Sequence, residues 1–135
     1  MYYVIKRLYN GETRYHTMEP FRHWTQCLAV DFNDPYLKIF QTFTEAERTV
    51  ERLPKTGLLY APSYIIETIH SEEAKSLPCW TLNTCARLVD LEKSLGTANK
   101  EECQKVILTA SDRIRQLIRE DPYLYGVKRI CIPKS

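Results

Sequence analysis

Along residues 2–17 polar and apolar side chains alternate on both sides of Asn10-Gly11, a dipeptide suited to the two positive φ angles of a type I′ turn, and a β-hairpin is predicted. Lys38 to Phe43, a short run of β formers, leads into Thr44-Glu45-Ala46-Glu47, which reads as a capping box. A helix to about Leu53 should follow, with Ala46, Val50 and Leu53 inward and Pro54 and Gly57 ending it. Ser63 to Ile69 (SYIIETI) is rich in β-branched residues and reads as a strand. After His70 the period lengthens. Leu82, Cys85, Ala86, Val89 and Leu95 form one helical stripe up to Gly96. Cys103, Val106, Ile107, Ala110, Ile114, Leu117 and Ile118 form a second, opened by Asn99 and Glu102 and closed by Asp121-Pro122. Tyr123 to Ile132 alternates again and should return as a strand.

These elements compose one α+β domain over residues 1–135: an antiparallel sheet of about four or five strands packed on a short helix and a helical hairpin. Residues 1–70 are the aromatic-rich sheet part, 71–122 the helical hairpin and 123–132 the last strand. A two-residue turn sets the hairpin register, with Tyr9 facing Glu12, Leu8 facing Thr13, Arg7 facing Arg14 and Lys6 facing Tyr15. Tyr2, Val4, Leu8 and Tyr15 then share a face suited to a core. Tyr3, Ile5, Arg7, Tyr9, Glu12, Arg14 and His16 share the other.

Composition sharpens this picture unevenly. Nineteen Lys and Arg against seventeen Asp and Glu leave a net charge of +2, neither the basic excess of a duplex-coating protein nor an acidic mimic of one. The neutrality is an average, since residues 1–30 lean basic and residues 31–51 acidic. Nine of the residues are Tyr, and most aromatics lie before residue 65. Five Cys, an odd number without a CxxC pair, and a start without a leader pattern point to a reducing, cytoplasmic setting. No apolar window is long enough to cross a bilayer, so no membrane partner is expected.

The face carrying Tyr3, Arg7, Tyr9, Arg14 and His16, joined by Arg22, His23 and Trp24, is the candidate binding surface. Arginine forks grip carboxylate or phosphate, and the rings supply flat apolar area. The opposing reading is an ordinary solvated sheet face whose long side chains cover tyrosine rings. No catalytic residue, cofactor or metal site is predicted. Glycine-rich phosphate loops, nucleophile elbows and zinc spacings are absent from the sequence. Cys85 and Cys103 read as small buried hydrophobes, Asp34-Pro35 as a turn signal, and Cys79, near a helix start, as an inert thiol in the first place and a reactive one in the second.

The segments YYVIKR, NGETRYH, FQTFTEAERTVERL and SYIIETI together resemble a layout common among small phage- and prophage-encoded proteins: hairpin, short helix, strand. The resemblance covers the N-terminal half and implies a genomic setting, not an activity. The function expected is therefore that of a small non-enzymatic interaction protein. It would bind or inhibit a macromolecular partner, first of all a protein with an anionic surface, in the manner of a host-takeover or anti-defence factor. Nucleic-acid binding through the same face, aided by Lys105, Arg113, Arg115 and Arg119, is the second reading. A small enzyme using Cys79 or His23 is the third.

Overall fold

A computed structural model describes residues 1–18, 28–53, 62–95 and 100–120, the side chains of 92–95 and 100 excepted. The chain forms two compact units, Met1–Cys79 and Trp80–Ser135.

In the first unit, β1 (Tyr2–Tyr9) and β2 (Glu12–Tyr15) form the hairpin. Asn10 at φ 51° and Gly11 at φ 76° both take the left-handed backbone that the tight turn needs. A Cβ added to Gly11 would meet nothing within 4 Å, so glycine serves there for its backbone freedom alone. The register is the expected one, Lys6 opposite Tyr15 through Tyr9 opposite Glu12. Strand β3 (Ser63–Ile69) joins the free side of β1, again antiparallel, giving the order β2-β1-β3.

The described sheet has three strands, fewer than the four or five expected. The run from Lys38 to Phe43 makes no strand. Phe40 exchanges two backbone hydrogen bonds with Tyr3, at 2.8 and 2.9 Å, and Leu37 bridges Thr17. The Asx turns of Asp31 and Asp34, which accept from the backbone N–H of Asn33 and Tyr36, bend the chain just before these contacts. The expected C-terminal strand, Tyr123 to Ile132, lies outside the described residues.

Helix α1 (Phe43–Arg52) starts two residues earlier than the pattern implied. The sequence holds two overlapping Thr-x-x-Glu boxes, and the first is used: Thr42 Oγ1 accepts from Glu45 N–H at 3.2 Å. That start brings Phe43 edge-on to Tyr3, ring centroids 5.8 Å apart. The inner stripe is as expected. Ala46 forms a core with Ile5 and Phe40, and Val50 and Leu53 pack on it with Tyr3, Tyr64 and Ile66. Leu53, in extended backbone before Pro54, ends the helix.

This core corrects the assignment of the sheet's faces. Ile5, given to the solvent side, is 1% exposed beneath α1. The other face is also buried at Val4 and Ile69, yet Leu8, Lys6 and Tyr15 are only half-buried and Ile65 is 44% exposed. Period-two alternation tells which residues share a face, whereas the element that lies across it decides which face is core. A short helix, α2 (Ser71–Ser76), closes the unit; six residues are too few for a helical period to be read from the sequence.

In the second unit α3 (Trp80–Leu95) packs against α4 (Lys100–Leu108), as a helical hairpin predicts. The second predicted helix is divided, and α5 (Asp112–Glu120) follows a break at Thr109–Ser111. Thr109 Oγ1 donates to the Val106 carbonyl, and Ser111 Oγ accepts from Ile114 N–H at 3.3 Å, so hydroxyls stop one helix and cap the next. The apolar stripe survives the break, with Cys103, Ile107, Ile114 and Ile118 all buried.

Candidate functional site

At the turn end of the hairpin, Arg7 and Arg14 stand directly opposite each other, as do Tyr9 and Glu12. Two like charges in this position repel by a few tenths of a kcal/mol or more. Arg14 is compensated locally. One terminal nitrogen donates to the Thr13 carbonyl at 2.8 Å and another lies 3.6 Å from the Glu12 carboxylate. Glu12 is 64% exposed, so this pair is solvent-screened and worth at most about 1 kcal/mol.

Arg7 is placed differently. Its guanidinium carbon sits 5.3 Å from the centre of the Tyr9 ring, a cation–π contact worth roughly 0.5–1 kcal/mol. Its Nε is shut off from solvent with no hydrogen-bond acceptor, which costs about 1–3 kcal/mol. Those magnitudes leave the ring contact unable to offset the orphaned donor. Across β1, Tyr64 of β3 is Arg7's register partner. Burial raises the Tyr64 pKa, while the Arg7 charge draws it the other way.

The predicted surface thus divides. Arg7, Tyr9 and Arg14 are gathered at the turn end, with Glu12 and Tyr64. Tyr3 and His16 lie at the opposite end of the hairpin, where the His16 ring stacks on Phe40 at 6.2 Å and Tyr3 meets Phe43. There both rings serve the packing under α1. Arg22, His23 and Trp24 lie outside the described residues. Tyr64 was not nominated from sequence; its strand is legible there, but the strand it pairs with is not.

The thiols correct one expectation, at Cys103. Burial pushes both Cys79 and Cys85 up to about 12, the Asp34 charge adding to the effect at Cys79, so a reactive Cys79 thiolate is disfavoured. Cys103 is fully buried, as expected, but it is disulfide-bonded and not a free thiol. Burial favours a small thiol and a disulfide alike, so the helical stripe could not distinguish them. Asp34 forms a turn, as read, and Asp31 forms another. Among the described residues no group of three or more His, Cys, Asp or Glu could hold a metal ion, and no helix is long and apolar enough to cross a membrane.

Comparison with known proteins finds no family model that matches the chain, no matching curated protein and no matching solved structure.

Proposed function

We propose that this chain is a non-enzymatic interaction module that binds or inhibits an anionic macromolecular partner at the turn end of its hairpin. One observation carries the reading: Arg7 is a half-buried guanidinium whose Nε has no acceptor, held on an aromatic ring. A charge kept partly out of water without an anion weakens the fold, and an incoming anion offsets that weakness. Tyrosine and arginine side by side are also the residue types that contribute most to protein interfaces.

The test is affinity capture with the tagged full chain from its native cells, beside the double variant Arg7→Ala, Arg14→Ala. The wild type should retain a partner that the variant loses without any loss of thermal stability. Retention of the same partner by both chains would overturn the reading.

A further inference from the structure

The two guanidiniums at the hairpin end differ in what they are already doing. Tyr15 exchanges both backbone hydrogen bonds with Ala29, so by alternation the Thr13 carbonyl also lies on the outer edge of β2. Arg14 donates to that carbonyl and sits beside Glu12. It thereby covers an edge acceptor that would otherwise be open to another strand. Arg7 forms no ion pair among the described residues, and its Nε is enclosed without an acceptor. Packing on Tyr9, and a place on the central strand between β2 and β3, hold it in position, so little ordering remains to be done when an anion arrives.

Resting on the interaction reading above, we propose that Arg7, flanked by Tyr9 and Tyr64, is the receptor for a single carboxylate of an acidic side chain on a protein partner, and that Arg14 guards the strand edge. Charge complementarity favours a protein over a nucleic acid. Helix α1 packs on this same face of the sheet and exposes three glutamates, Glu45, Glu47 and Glu51, against two arginines, Arg48 and Arg52, so its exposed charge is acidic on balance. A phosphate backbone lying across the face would meet those glutamates, whereas one protruding carboxylate reaches Arg7 without them.

The test uses the full chain labelled with ¹⁵N at arginine. The probes are an end-capped hexapeptide carrying two aspartates between tyrosines, its asparagine counterpart, and an oligothymidylate, each titrated to about 5 mM, the range in which one charge-assisted contact is detectable. The aspartate peptide should shift the Arg7 Nε–H resonance more than that of Arg14, and the asparagine peptide should shift neither. Arg7→Lys, which keeps the charge but loses the planar fork, should weaken the peptide about tenfold, and Arg14→Gln by less than about twofold. Unchanged binding by Arg7→Lys, a larger response at Arg14, a response to oligothymidylate alone, or an Arg7 resonance unmoved by every probe would each overturn the assignment. Partner capture that is lost in the double alanine variant despite a silent Arg7 would remove this assignment and keep the interaction reading. A responsive Arg7 with capture unaffected would do the reverse.

Discussion

Ile5→Ala tests which face of the sheet is core. Ile5 is 1% exposed and touches Phe40 and Ala46 under α1. The substitution removes three carbons, which at about 0.8 kcal/mol each is roughly 2.5 kcal/mol of transfer free energy. The hole left under a helix that cannot collapse fully onto the sheet adds about another 1 kcal/mol, for a total near 3–4 kcal/mol. Leu8, one of the residues that alternation alone would place in the core, is half-buried on the opposite face. Leu8→Ala leaves no closed cavity and should cost about 1 kcal/mol. Urea unfolding followed by circular dichroism and by intrinsic fluorescence measures both, with Ile5→Val expected near 1 kcal/mol as the graded control and the urea dependence unchanged. Equal losses for Ile5→Ala and Leu8→Ala, or a loss at Ile5 under about 1 kcal/mol, would refute the placement of α1 over the Ile5 face.

Three further outcomes are expected. Thr42→Ala should lower stability by about 1 kcal/mol in the same unfolding assay while Thr44→Ala stays within about 0.5 kcal/mol, because only the Thr42 hydroxyl caps α1; the reverse order would put the helix start at the later box. The hydrogen bond from Lys6 Nζ to Glu67, with the attraction between the two charges, raises the Lys6 pKa above its ordinary 10.5. A raised folded-state value means that this contribution is complete below pH 10.5 and is lost as pH rises through the folded-state pKa, so stability should fall above pH 10.5 and Lys6→Met should flatten that fall. Tyr64, also raised, adds a fall in the same alkaline range that persists in Lys6→Met; a full alkaline loss in that variant would show the pair to be idle. Finally, a thiol reagent at pH 8 should leave Cys79 and Cys85 unmodified in the native protein, since burial holds both near 12, and in denaturant without reductant both should react while Cys103, which is bonded, should not. Rapid native labelling at Cys79 would contradict its burial.

How much of this was legible beforehand depended on the range of the interaction involved. Asn10-Gly11 determined the turn, and with it the register, because two residues with positive φ leave one way to pair the flanking strands. Ala46, Val50 and Leu53 marked the inner face of α1, and the stripe from Cys103 to Ile118 marked a buried face. Local chemistry was ambiguous where two solutions overlapped. The Thr42 and Thr44 boxes are equal as sequence, and the contact between Phe43 and Tyr3 goes with the earlier one. The apolar stripe runs unbroken through Thr109 and Ser111, whose hydroxyls bond to the backbone and divide the helix there.

The candidate site shows the same boundary. The facing of Arg7 and Arg14 follows from the turn and was determined by sequence alone. What separates them is tertiary. Tyr64 arrives opposite Arg7 only because β3 pairs with β1, some sixty residues distant in the chain. Arg14 is compensated by its strand neighbours, while the Nε of Arg7 is closed off without an acceptor. Alternation has a period of two and carries no information about what lies above a sheet. The position of α1, and so which face is core, was decided by packing between segments that the sequence keeps apart.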